Sequence, residues 1–297
     1  MRKGAFVMLE KRNRTREQLD AFIFFCKHNP LVIVGLFLFI TIIILVAFAP
    51  FFAQYDPIKV DIRNRFQAPS WEHILGTDSF GRDVFSRLLY GGRNTLVIGF
   101  AVIAFSFTVG VVLGIISGFI GGRIDNILMR IVDALLSFPA LVLAIALTAA
   151  FGASLQNAML AIAITLTPQF ARVARGQAIQ IRSKLYIEAA QSIGVTTPRL
   201  LWKYVFPNSI GPLMVQATLN FGSAILQTAS LGFLGLGAQP PMAEWGADVS
   251  ANTQYLRESP WVSLAPGAAI LLSVLAFNLI GDALADWFNP RTKKSFG

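Results

Sequence analysis

The chain has 297 residues, 55% of them hydrophobic and only 14% charged, with a net charge of +9. Soluble domains carry roughly a quarter charged residues, so this deficit excludes an ordinary soluble domain and indicates a membrane protein. The basic residues lie between apolar runs and form no single patch, which argues for cytoplasmic loops and against a nucleic-acid partner.

In chain order, a basic N-terminus (Arg2, Lys3, Lys11, Arg12, Arg14, Arg16) comes first. Cys26 is the only cysteine, which excludes a disulfide framework and a Cys-based metal site, and it reads as structural. An uncharged run of 27 residues, 29–55, is too long for a signal-peptide core and predicts an uncleaved span. Further uncharged runs cover 94–122, 134–171, 204–243 and 259–281. A spanning helix needs about 20 residues. The run 134–171 therefore holds two spans, with a turn near Gly152 to Asn157. The run 204–243 holds one, about Gly211 to Leu231, because "GFLGLGAQPP" argues against a second regular helix.

The resulting fold class is all-α, a polytopic membrane protein with six transmembrane helices. The expected division is a cytoplasmic segment 1–28, a first span with an outward segment 29–93, a transmembrane domain 94–288 with a loop at 182–207, and a tail 289–297. Loop charges support it. Residues 172–203 carry Arg172, Arg175, Arg182, Lys184, Arg199 and Lys203 against the single acid Glu188. Residues 239–260 carry Glu244, Asp248 and Glu258 against Arg257. The first stretch faces the cytoplasm and the second faces outward. Six spans put both basic ends inside, including the tail with Arg291, Lys293 and Lys294. The stretch 56–93 then faces outward and leads into the second span through a short surface helix.

Several chemistries lack their residues. The sequence has no Gly-Lys-Ser/Thr phosphate loop, no His-Glu-x-x-His and no Gly-x-Ser-x-Gly turn. His28 and His73 are too far apart in the chain to predict a shared metal, and the spans hold almost no ionisable group for a proton relay. No catalytic residue and no metal ligand is predicted. An uncharged route without a nucleotide site implies that any energy source sits on another chain.

Two patterns in the spans carry information. Gly110, Gly114, Gly118 and Gly122 recur every four residues on one helix face. They suit either close packing within the subunit or a sliding interface in a moving transporter. Gln216, Asn220, Ser223, Gln227 and Ser230 form a continuous polar stripe on the fifth span. Such a stripe avoids lipid, so it either hydrogen-bonds a neighbouring helix or lines a watery solute route.

The cytoplasmic stretch "EAAQSIGVTTPRLLWKYVFPN", Glu188 to Asn208, reads as two short helices. The first covers Lys184 to Ser192, and Gly194 suits a left-handed stop. The second runs from Arg199 to about Phe206, with Thr197 as N-cap, Pro198 as first helical residue and Pro207 as stop. Ala189 and Ala190 offer a small surface and Glu188 a charge at its edge. Docking to a partner and an ordinary amphipathic surface loop both remain open on this reading.

"EAAQSIG", followed after twelve residues by "PN", resembles the EAA loop of ABC importer permeases. Glu188, Ala189, Ala190, Gly194 and Pro207 carry that resemblance, while Phe206 stands where the family usually has Leu. "HILGTDSFGRDVFSRLLYGGR" (His73 to Arg93), "LGFLGLGAQPPMAEWG" (Leu231 to Gly246) and "GDALADWFNPR" (Gly281 to Arg291) resemble the dipeptide, oligopeptide and nickel permeases of that family. The resemblance covers the chain from about residue 20 and points to the second, C-type membrane subunit. Tyr204 and Asn289 depart from it, where His and Asp are frequent.

The resemblance implies a coupling helix that docks on a cytoplasmic ATPase, with Glu188, Ala189, Ala190, Gly194 and Pro207 in that role. It implies a sibling permease, two ATPase subunits, an extracytoplasmic solute-binding protein and a bacterial inner membrane as partners and location. ATP and Mg would sit on the ATPases, with no cofactor in this chain. Import of di- or oligopeptides by alternating access is the expected function. Nickel or glutathione import and, outside the family, a self-sufficient channel are the alternatives.

Overall fold

The computed structural model describes residues 30–288. The expectations for Cys26, His28, Asn289, the basic N-terminus and the tail lie outside them. Among the described residues the chain is helical, with no strand and one isolated bridge between Thr77 and Asp83.

Helix α1 is Pro30–Ala47, followed by the single turn α2, Ala49–Phe52. Residues 56–83 hold one 3-10 turn, Ile62–Asn64, and the helix expected to lead into the second span is the first ten residues of that span's own helix. Helix α3, Val84–Ile120, begins ten residues before the uncharged run, and its 37 residues extend about 55 Å at 1.5 Å per residue. Asp83 caps α3 by accepting from the Ser86 amide, and its other oxygen meets His73 Nδ1 at 3.0 Å. Helix α4, Gly122–Leu136, and α5, Ala140–Phe151, meet at a 92° bend. The expected turn after α5 is present, and Ser154 caps α6, Leu155–Arg182, through the Asn157 amide. The stretch 184–208 supplies α7, Leu185–Ser192, and α8, Thr197–Leu200. Helix α9 is Phe206–Phe233, α10 is Trp245–Asn252, and α11 is Trp261–Phe288.

Among the described residues three helices, α1, α3 and α11, are long and apolar enough to cross a membrane, or four if the bent pair α4–α5 is one span. Helices α6 and α9 have 28 residues each but fall short in composition. The arginines near the end of α6 and the polar stripe of α9 account for this. The third expected span is no straight helix either, because α5 alone has 12 residues.

The glycine row decides between its two readings in favour of packing within the chain. Methyl groups on Gly110, Gly114 and Gly118 would fall 2.6, 2.2 and 2.5 Å from the carbonyl oxygens of Thr167, Ala171 and Arg175. The backbones of α3 and α6 therefore touch along three turns. Gly122 does not join them, having left α3 with φ +64° and nothing within 4 Å. Beside this seam, Val102, Ile162, Leu166, Phe170, Phe221 and Ile225 form the main core.

The segment between α9 and α11 is tied to the start of α3. Arg87 forms an ion pair with Asp248 and donates to the Pro57 carbonyl at 2.9 Å. Trp245 Nε1 donates to the Leu88 carbonyl at 2.8 Å, and Thr95 donates to buried Glu244 at 3.0 Å. Glu244 also caps α10 by accepting from the Gly246 and Ala247 amides.

Candidate functional site

The Glu-Ala-Ala helix is built as its sequence suggests. Gly194 takes φ +80°, and a methyl added to it would meet nothing within 4 Å, so glycine is needed there for conformation and not for space. Its amide donates to the Gln191 carbonyl at 2.9 Å, and the Val195 amide donates to the Ala190 carbonyl at 3.1 Å. These paired bonds close α7 as a Schellman motif.

The two alanines face different ways. Ala190 is buried beside Ile187, in a cluster with Phe119, Ile181, Leu200, Val205 and Leu213. Glu188 and Ala189 are exposed. Only these two of the Glu-Ala-Ala triplet form an open surface, while Ala190 fastens the helix to the ends of α3, α6 and α9. Leu185 and Ile193 flank the exposed face and are themselves solvent-exposed.

The second half of the loop departs from expectation in two ways. Thr196, not Thr197, occupies the N-cap position, and its side chain makes no capping bond. Pro207 does not stop the helix. Leu201–Val205 forms a π turn, and the Phe206 amide donates to the Leu201 carbonyl. The wider turn accommodates a residue that has no amide hydrogen. Side chains donate to carbonyls around the proline, Asn208 Nδ2 to Tyr204 O at 2.6 Å and Ser209 Oγ to Val205 O at 2.8 Å. Helix therefore continues from Thr197 through Pro207 into α9.

The polar stripe of α9 meets α6. Gln216 Nε2 donates to Asn220 Oδ1 at 3.0 Å and to Gln169 Oε1 at 3.5 Å. Thr165 Oγ1 donates to Gln227 Oε1 at 3.4 Å. Asn220 is buried, Ser223 is exposed, and Gln216, Gln227 and Ser230 are half-buried. The stripe thus both bonds to a neighbouring helix and keeps an open edge. Thr165 and Gln169 escape the sequence patterns above, although their spacing of four places them on one face of α6.

Toward the end of α6 that leads into α7, α4 is pinned to α6. Arg175 Nε and a terminal nitrogen donate to Asp125 at 2.6 and 2.7 Å, and Ser117 Oγ donates to the same carboxylate. The Arg175 hydrogen bonds hold the Asp125 carboxyl below the usual carboxylate range, against the opposing effect of burial. A second pair joins Arg172 to Asp133 at 2.7 Å. Among the described residues no group of three His, Cys, Asp or Glu side chains could hold a metal.

Residues 110–294 match the family described as binding-protein-dependent transport system inner membrane component. Residues 22–69 match the N-terminal transmembrane domain of oligopeptide transport permease C. The chain is 46% identical over 267 residues to a dipeptide transport system permease protein of Alkalihalophilus pseudofirmus, covering 90% of this chain and 88% of that one. It is 44% identical over 280 residues to a probable D,D-dipeptide transport system permease protein of Escherichia coli, covering 94% of each. In fold it is similar to a chain of the MetNI methionine ABC transporter in an inward-facing conformation, with a TM-score of 0.56, 20% identity, and coverage of 66% of this chain and 93% of that one. With its capped Glu-Ala-Ala helix and its match over most of its length, the chain belongs to the binding-protein-dependent transport system inner membrane components, in their dipeptide and oligopeptide permease branch.

Proposed function

We propose that this chain is one of two membrane subunits of an ATP-driven importer of di- or oligopeptides. The observation that carries the reading is the Schellman-capped α7, which exposes Glu188 and Ala189 while Ala190 roots it among α3, α6 and α9. The peptide-transport names of relatives at 44–46% identity support the solute class.

In this reading the chain spans the bacterial inner membrane six times, with both ends in the cytoplasm. Segment 94–288 is the transmembrane domain, and 182–207 is the coupling loop. Its partners are a sibling permease, two cytoplasmic ATPases that hold ATP and Mg, and an extracytoplasmic solute-binding protein. Closure of the ATPases moves α7, and the solute crosses between the two permeases by alternating access. Gln216, Asn220, Ser223, Gln227 and Ser230 form part of that route.

The test is co-purification after co-expression with the ATPases. Glu188→Lys is expected to lose the ATPases while the chain remains inserted in the membrane. Unchanged co-purification would overturn the coupling role. Uptake of labelled dipeptide by the assembled complex, with nickel and glutathione as competing solutes, tests the solute class.

A further inference from the structure

Helix α4 has an apolar row that nothing in the described chain covers. Ile124, Ile127 and Ile131 are spaced by three and four, on one face, and are 44%, 61% and 56% exposed. Asn126, Arg130 and Asp133 are exposed on another side. Val132 is buried against the protein. The helix thus has an apolar face, a polar face and a protein face.

Its direction and charge say what covers the row. Helix α5, which carries no charge, leaves α4 at 92°. With α5 along the membrane normal, α4 lies in the membrane plane, the setting of an interfacial amphipathic helix. Its two carboxylates are already engaged, Asp125 by Arg175 and Asp133 by Arg172. Arg123 and Arg130 have no carboxylate partner among the described residues. They lie seven residues apart along the edge of the isoleucine row, where long side chains reach headgroups.

We propose that α4 is an interfacial helix that seats its isoleucine row in the cytoplasmic leaflet and places Arg123 and Arg130 on anionic phospholipid headgroups. This rests on the reading of the chain as a membrane permease.

The experiment uses nitroxide labels on the full chain within its assembled complex, in a Cys26→Ser background. The complex is reconstituted in phosphatidylcholine with or without phosphatidylglycerol. Labels at Ile127→Cys and Asn126→Cys are compared by collision with oxygen and with an aqueous nickel chelate. The Ile127 label is expected to favour oxygen and the Asn126 label the chelate. Phosphatidylglycerol should raise the oxygen preference at Ile127, by about five-fold per arginine in the seated population, and Arg123→Gln with Arg130→Gln should abolish that rise. Preference for the chelate at Ile127 would overturn the proposal. So would closure to both reagents, the result of a sibling chain covering the row. A label at Val142→Cys in α5 separates the two readings: if it too favours the chelate, the membrane reading itself fails.

Discussion

A methyl group on Gly114 would fall 2.2 Å from the Ala171 carbonyl oxygen, so these two residues hold the α3 and α6 backbones in contact. Both backbones are continuous helix there. Gly114→Ala gains about 1 kcal/mol of helix propensity. Overpacking outweighs that gain, with a typical cost of about 1–3 kcal/mol. Thermal unfolding of the purified chain in detergent should show a lower midpoint. Gly176→Ala, in α6 with nothing within 4 Å, should leave the midpoint unchanged or raise it. Equal effects at both positions would refute the contact.

The end of α7 depends on one backbone conformation. At φ +80° Gly194→Ala meets no neighbour but takes on left-handed strain of about 1–2 kcal/mol. The bond from the Val195 amide to the Ala190 carbonyl should then open more often. Hydrogen exchange at Val195 is the direct measurement, with acceleration of about ten-fold expected for ~1.4 kcal/mol. Gly194→Asn should show a smaller change, and equal exchange in all three proteins would rule out the strain.

The stripe on α9 can be tested for transport separately from stability. Gln216, Asn220 and Gln227 changed together to Leu should abolish uptake in complexes that still assemble. If uptake persists and only the thermal midpoint falls, the stripe serves the α6 contact alone.

Local rules read best where a residue's own backbone decides the outcome. Gly194 at the close of α7 is such a case, and the turn near Gly152 to Asn157 is another. Pro207 defeats a local rule because a proline removes a donor without saying how its neighbours respond. Here a π turn and the side chains of Asn208 and Ser209 carry the helix through. The bend between α4 and α5 is hidden for a related reason. An uncharged run reports apolarity but not direction, and the corner at Pro139 turns the chain by 92°. The glycine row is visible in sequence, but its partner is not, because Thr167, Ala171 and Arg175 contribute carbonyls that any residue possesses.

The helix that passes through Pro207 makes α8 and α9 one mechanical part. From Thr197 to Phe233 the chain offers no loop in which a displacement could be absorbed. A push at the Thr197 end acts on a lever roughly 55 Å long at 1.5 Å per residue. Small tilts at one end become larger sweeps at the other, and the stripe from Gln216 to Ser230 lies along that arm.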